Sequence, residues 1–237
     1  MSSTRDQELE ASIAELMATR ANAPPDMQRL VDQQIESVEG ARRMQRMVEE
    51  ANEKNRLIRP KLTEEMRAFF TPAPRARLPT WISDTQTRAM VLEELMQCPA
   101  GAKVFPDKDS LECRIPTPKG GIPERHGLTL WFYKSTGRLK GQRYYEHGLL
   151  RWAITYHHTG GRESEGQYDN VKPKVDRENG LHTYYAPNGT IVRQAEYQSG
   201  LLQGWSKQWE DDGYPASATR YENGKSVEMI GPTGKSI

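Results

Sequence analysis

Gly180-Leu181-His182-Thr183-Tyr184-Tyr185-Ala186-Pro187-Asn188-Gly189, continued by Thr190-Ile191-Val192-Arg193-Gln194-Ala195-Glu196-Tyr197-Gln198-Ser199-Gly200, decides the fold. Two β-prone runs flank a Pro-Asn-Gly turn, and Asn-Gly suits backbone positions that need φ > 0. The stretch predicts a β-hairpin. Its pattern is an aromatic, a glycine four residues on, a tyrosine eight after that and a glycine three further, and it comes round four times between Leu128 and Ser226. Copy one has Tyr133, Gly137, Tyr145 and Gly148; copy two has Tyr156, Gly160 and Tyr168, with Val171 where the last glycine belongs. Copy three has Tyr185, Gly189, Tyr197 and Gly200; copy four has Trp209, Gly213, Tyr221 and Gly224. The copies start 23, 29 and 24 residues apart, the longer step being taken up by an insertion at Lys172-Pro173-Lys174. Self-similarity of this length marks a repeat architecture, here hairpin after hairpin in a long, narrow antiparallel sheet.

Side chains alternate faces along a strand. Leu181, Thr183 and Tyr185 therefore share a face, as do Ile191, Arg193, Ala195 and Tyr197 on the return strand. The same offsets place Thr129, Trp131 and Tyr133, then Trp152, Ile154 and Tyr156, then Trp205, Lys207 and Trp209 on one aromatic stripe, with the other face mostly polar.

The run from Gly180 to Gly204 resembles the variant MORN repeat of bacterial antitoxin-like proteins, related to eukaryotic MORN scaffolds. Tyr145-Glu146-His147-Gly148 and Tyr221-Glu222-Asn223-Gly224 match that family's tyrosine-x-x-glycine unit, whereas Asp169-Asn170-Val171 departs from it. The resemblance covers residues 128–226. It implies an elongated hairpin array used for protein or lipid contacts, with no catalytic residues, and a kink or bulge at the departure.

Composition divides the chain. All ten tyrosines and four of the five tryptophans follow Leu128, while Gly40 alone of nineteen glycines precedes residue 101. Charge is high but balanced, 33 basic against 32 acidic residues, without the basic excess of a nucleic-acid domain. Cys98 and Cys113 show no metal-ligand or redox spacing, so the default is reduced thiols in the cytoplasm. The N-terminal residues have no apolar signal core, and no run approaches the roughly 20 apolar residues of a membrane helix.

The first hundred residues read as helix, which makes the fold α+β. Thr4 with Gln7 is a capping-box pair ahead of Leu9, Ile13 and Leu16. Ala21 to Pro25 stops that helix, and Asp26 can cap a second carrying Met27, Leu30, Val31, Ile35, Val38, Met44, Met47 and Val48. About thirty residues make roughly 45 Å of rod, too thin a seam to bury itself alone. It pairs with the first helix as a hairpin or with another chain as a coiled coil. A short helix over Leu62–Phe70 and an extended connector, Thr71 to Pro79, lead to a second capping box at Ser83 and Gln86. That box opens a helix through Ala89, Met90, Leu92, Leu95 and Met96, expected to cap the first strand of the sheet. Asp109 to Pro116 alternates like a lead-in strand. The predicted organisation is a helical hairpin or coiled coil at 1–60, short helices and connector at 61–101, lead-in strand and loop at 102–127, four repeats at 128–228 and a tail at 229–237.

Nothing points to catalysis, a metal or a cofactor. His157 and His158 are adjacent and so face opposite ways in a strand, and the five histidines have no ligand spacing. Lys119-Gly120-Gly121 lacks the phosphate-loop spacing, Glu210-Asp211-Asp212 sits at a hairpin tip, and no serine has a nucleophile context. The aromatic stripe is the feature to explain. Each large ring buries about 150–250 Å², worth roughly 4–6 kcal/mol, so the stripe must be covered, by the protein's own helices or by a second protein. Trp131, Trp152, Trp205 and Trp209 are the candidate contact residues, Trp being typical of interface hot spots. The tyrosines are the structural rungs. The chain thus reads as a non-enzymatic interaction or scaffold module with a protein partner. An antitoxin-like inhibitor is one alternative. An anionic-membrane binder is another, and it requires Lys134, Arg138, Lys140, Arg143, Arg151 and Arg162 to converge on one face.

Overall fold

The computed structural model describes residues 4–75, 77–91, 96–117, 121–172 and 175–237, without the side chains of residues 4–7, 52 and 55. The chain divides into two units, Met1–Lys61 and Leu62–Ile237.

The first unit is a helical hairpin of α1 (Thr4–Asn22) and α2 (Pro25–Leu57). Intramolecular pairing is the arrangement observed: Arg42 on α2 reaches Glu10 on α1 at 3.0 Å, and Val31 is buried. Pro25 stands at the first turn of α2, where its missing N–H is no loss. Asp26 therefore falls inside the first turn instead of capping it, and Pro24 in the cap position makes no side-chain bond. The proposed Thr4–Gln7 capping pair lies outside the described side chains. Met17, Met27, Leu30, Met44, Met47 and Val48 are exposed.

The second unit opens with α3 (Glu64–Phe70), capped by the Thr63 hydroxyl, which accepts from Met66 N at 3.2 Å. Among the described residues twelve strands follow in one antiparallel sheet: β1 (Lys103–Pro106), β2 (Ser110–Ile115), β3 (Glu124–Phe132), β4 (Leu139–Glu146), β5 (Leu149–Tyr156), β6 (Arg162–Tyr168), β7 (Glu178–Tyr185), β8 (Ile191–Gln198), β9 (Leu201–Leu202), β10 (Gly204–Trp209), β11 (Pro215–Glu222) and β12 (Lys225–Ile230). They pair in chain order, except that β9 is a short branch on β8 and β10 also joins β8. The sheet thus grows by one hairpin at a time. The lead-in is a hairpin, β1–β2, and not the single strand expected.

The repeats occupy β3 to β11, and their register corrects the sequence alignment of copy one. The bulged pairs Tyr156–Arg162, Tyr185–Ile191 and Trp209–Pro215 are equivalent, and in copy one their counterpart is Phe132–Leu139. Phe132, and not Tyr133, is the first aromatic, and the spacing becomes 24, 29 and 24 residues. The cause is a turn one residue longer. Tyr133 N donates to Arg138 O in copy one, whereas Ala186 N reaches Thr190 O and Glu210 N reaches Tyr214 O. Because strand side chains alternate, a one-residue slip exchanges the faces. Leu128, Leu130 and Phe132 take the places expected of Thr129, Trp131 and Tyr133.

At the opposite end of the hairpins, His147-Gly148, Ser199-Gly200 and Asn223-Gly224 form two-residue turns with φ positive at both positions, the geometry that matches strand twist. Copy two, lacking this dipeptide, closes through a longer loop instead. There Asp169 N donates to Arg177 O, and Arg177 N donates to Asn170 Oδ1 at 2.7 Å. Pro173 and Lys174 of the insertion lie outside the described residues.

One face of the sheet is covered by the segment that follows α3. Its described residues 71–75 and 77–82 form no regular helix and cross the strands as a strap, sharing with α3 the covering role expected of helices. The Ser83–Gln86 cap forms, with Ser83 N donating to Gln86 Oε1 at 2.9 Å. The bond spans a turn at Asp84-Thr85, a separate 3-10 turn, Arg88–Met90, starts from Thr87, and Leu92 and Leu95 of the expected helix lie outside the described residues. The backbone here bonds to the sheet: Arg88 N donates to Gly137 O and Leu139 N donates to Gln86 O. Leu78, Ile82, Val91 and Met96 pack on Leu111, Leu128, Leu130, Phe132, Leu139, Trp152, Ile154 and Tyr156. Phe70 and Phe69 pack on Trp205, Trp209 and Ala218.

Cys98 and Cys113 are joined by a disulfide, which replaces the expected pair of free thiols. The fifteen-residue separation was uninformative, because only the return of the strap brings Cys98 onto β2. Gly127 makes this seat possible: a Cβ there would lie 2.4 Å from Pro99 Cδ and 3.0 Å from Cys113 Cβ. Disulfides persist in oxidising compartments and are rare in the cytosol, so the cysteine argument for a cytoplasmic setting falls. Among the described residues, no helix is long and apolar enough to cross a membrane.

Candidate binding face of the sheet

The strap is fixed by a polar repeat position that the sequence reading passed over. Gln142, Glu165, Gln194 and Ala218 are equivalent, each one residue beyond the partner of a strand's penultimate residue. Gln142 accepts from Trp81 N at 3.0 Å and donates to Ile82 O at 3.1 Å. Gln194 accepts from Ala73 N at 2.8 Å and donates to Ala73 O at 3.0 Å. An amide offers both a donor and an acceptor, so each glutamine completes an edge of extended strap as a neighbouring strand would. Glu165 between them accepts from Tyr185 Oη and pairs with Arg162, with Arg75 of the strap 3.9 Å away. Burial raises the Tyr185 phenol, and the Glu165 bond adds to it. All three are buried.

This assigns three of the four candidate tryptophans to the protein's own interior. Trp152 and Trp209 are buried, and the Trp209 indole N–H donates to Phe70 O at 2.9 Å. Trp205 is half-buried beneath Phe69, ring centroids 5.2 Å apart and edge-on. They are not a free contact surface; the strap covers Trp152 and the short helix α3 covers Trp205 and Trp209, so the protein's own segments fill the role left open between own helices and a partner. Tyr156 and Tyr185 lie on this sealed face. Tyr133 sits at the turn end, its hydroxyl donating to Tyr156 O at 2.7 Å.

Trp131, the fourth, is on the opposite face through the register slip. There cross-strand pairing aligns Thr129 with Arg143 and Trp131 with Gly141, then Thr155 with Ser164, Ser164 with Tyr184, and Tyr184 with Arg193. Every one of the arginines on this face that meets a ring lies over it. Arg143 is 4.5 Å from the Trp131 ring, Arg125 5.3 Å from Tyr145 and Arg193 5.2 Å from Tyr184. His182 packs between Tyr168 and Tyr197 at 5.2 and 4.9 Å, directly over Gly166, where a Cβ would lie 2.3 Å from the imidazole. Burial lowers the His182 pKa and pushes the Tyr168 phenol up to about 12; it raises Tyr184 as well. Trp131, Arg143, Ser164, Tyr168, Tyr184, Arg193 and Tyr197 are half-exposed. Tyr145 is buried by the arginine above it, and Tyr221 pairs with Gly204 at the far end.

A cavity of about 500 Å³ opens at the first end of this face, lined by Arg114, Ile122, Pro123, Arg125, Arg143 and Tyr145, with Glu124, Gly148, Asn170 and Asp176 around it. Glu112 behind it accepts from Arg125 Nε at 2.8 Å and Arg114 Nε at 2.9 Å. Burial acts to raise the Glu112 carboxyl, but the two guanidiniums outweigh it and hold the pKa below the ordinary range. Arg143 has no such carboxylate, and neither its Nε nor the Thr129 hydroxyl paired across from it has a hydrogen-bond partner among the described residues.

The six basic residues required by the membrane alternative do not converge. Lys134 pairs with Asp109, Arg151 with Glu146, and Arg138 donates to Thr159 O at a turn. Arg162 is on the sealed face with Glu165. Among the described residues no group of three His, Cys, Asp or Glu side chains is placed to hold a metal. His157 and His158 separate as expected, one against Tyr185 O and the other against Ser135 Oγ.

No protein-family model and no curated protein matches the chain. Several solved structures are similar to about half of it. They include a glycosylation-associated Gap123 complex from Streptococcus agalactiae (17% identity, TM-score 0.31, 53% of this chain and 21% of that chain), a GtfA/B complex bound to UDP and GlcNAc (14%, 0.29, 52% and 24%) and TarM (12%, 0.30, 51% and 21%). This chain thus spans only a fifth to a quarter of those chains, and likeness at this level carries no argument about its activity.

Proposed function

We propose that the protein is a non-catalytic interaction module, built from MORN-type hairpins, that binds a partner protein through the open face of its sheet. One observation carries this reading: the strap occupies one face, while the other presents a row of Arg–aromatic pairs left half-exposed. Arg, Trp and Tyr are the residues that dominate protein interfaces. A stacked guanidinium keeps its hydrogen-bonding edge outward while its plane covers the ring. Such a surface is adhesive without being greasy, which suits a protein that must remain in solution until it meets its partner. The MORN resemblance agrees with a contact role. The antitoxin-like form of that role would make the partner a toxin, and the same face would then cover it.

The test is site-specific photo-crosslinking in the native cell. A photoreactive side chain at Ser164 or Gln208, on the open face, is expected to give one product of defined mass, and the same group at Arg67 on α3 is not. Products from Arg67 alone would overturn the assignment of the face.

A further inference from the structure

The cavity at the β2–β4 end of the open face has a more specific chemistry, and its reading rests on that face being the partner interface. Of the three guanidiniums that line it, two are already committed: Arg114 and Arg125 share Glu112. Arg143 is held flat against Trp131 with its Nε buried and without an acceptor among the described residues. That Nε is shut off from solvent, so a ligand can meet this guanidinium only at its outer Nη edge, where Arg143 lines the cavity without an ion pair among the described residues. We infer that Arg143 receives a carboxylate from an acidic peptide segment of the partner protein.

Three features select that ligand. The guanidinium fork matches a carboxylate with two parallel N–H···O bonds, which a lysine could not provide. Glu124 and Asp176 stand around the opening; they disfavour a phosphate dianion or a nucleic-acid backbone more than a single carboxylate. The cavity is larger than one carboxylate, and Ile122, 85% exposed, with Pro123 and the Tyr145 ring supplies an apolar wall for the residue beside it. An acidic residue flanked by an apolar one fills such a space.

The experiment uses the full, disulfide-intact chain and a fluorescein-labelled Gly-Glu-Leu-Gly peptide with blocked ends, read by fluorescence anisotropy, with the Gly-Gln-Leu-Gly peptide as the neutral control and inorganic phosphate as competitor. Saturable binding of the glutamate peptide is expected, with little binding of the glutamine peptide. Arg143→Gln should weaken it roughly 10- to 100-fold, the loss of one charge-assisted pair. Arg143→Lys should fail to restore it, and Arg193→Gln, further along the face, should change it less than about threefold by the same scale. Melting curves establish that each variant is folded; should Arg143→Gln unfold, Arg143→Lys decides. No saturable binding, equal losses from Arg193→Gln, or displacement by phosphate at the peptide's own concentration would each overturn the carboxylate site. If the peptide fails while Ser164 still crosslinks to a partner, the interface stands and only this chemistry is wrong. If both fail, the face itself has been misassigned.

Discussion

The two faces of the sheet are made from the same repeat and have opposite fates. On the sealed face, each repeat offers an aromatic at Phe132, Tyr156, Tyr185 or Trp209, the first three add a polar clamp at Gln142, Glu165 or Gln194, and the strap and α3 meet them. On the other face the cross-strand neighbours are Trp131, Thr155, Tyr184 and Gln208 with Gly141, Ser164, Arg193 and Ser217. Their rings are covered by arginines and by one another. The difference teaches that a repeat array needs cover on one side only. The face left over can then vary from copy to copy, as a binding surface must, without endangering the fold.

The comparison can be broken most directly by truncating one indole on each face. Trp209→Ala removes a buried ring and the donor to Phe70 O, and should cost about 3–5 kcal/mol in urea denaturation. Trp131→Ala should cost about 1 kcal/mol or less, the scale of an exposed cation–π pair. Equal losses would mean that the open face is also core. Next in size is the disulfide, which fastens the end of the strap. Its reduction, or Cys98→Ser with Cys113→Ser, should cost about 2–4 kcal/mol and expose residues 78–91 to hydrogen exchange before the sheet. Simultaneous exchange of both would show that the strap and the sheet unfold as one.

A smaller effect is expected from the clamps. Gln142→Ala leaves Trp81 N and Ile82 O without their partner, about 1–3 kcal/mol, and limited proteolysis should then cut first near Trp81. The smallest concerns the open face alone. The Glu112 pKa is lowered on folding, so its stabilisation is fully present above the ordinary value of 4.5 and is lost as pH falls through the folded value. The melting temperature should decline below pH 4.5, and Glu112→Gln should flatten that slope. A variant with the wild-type slope would remove Glu112 from the account.

Much of this was legible beforehand. The hairpins, their turns and the sealed-face places of Trp152, Ile154, Tyr156, Tyr185, Trp205 and Trp209 follow from period-two alternation and from Gly189, Gly200, Gly213 and Gly224. Copy one was misread because Tyr133-Lys134-Ser135-Thr136-Gly137-Arg138 preserves the aromatic-to-glycine spacing while lengthening the turn by one residue. Nothing in composition distinguishes Phe132 from Tyr133 as the inward ring. The glutamines passed unnoticed for a related reason: a buried amide and an exposed one look the same in a sequence, and only the partner tells them apart. The Ser83–Gln86 bond forms as expected, whereas the turn at Arg88–Met90 starts from Thr87, and the middle of the expected helix lies outside the described residues.

Local chemistry, then, was sufficient to determine that this chain makes successive hairpins after an N-terminal pair of helices. Turn geometry and side-chain alternation act within a few residues, and those residues are all in view. Which face is closed, what closes it, which cysteines meet and which arginine is left without a carboxylate were decided only by the tertiary structure. They depend on contacts between segments from 15 residues apart, Cys98 with Cys113, to 139 apart, Phe70 with Trp209. Contacts over that distance are set by the register of every hairpin between them, and a single extra residue in one turn is enough to exchange the two sides.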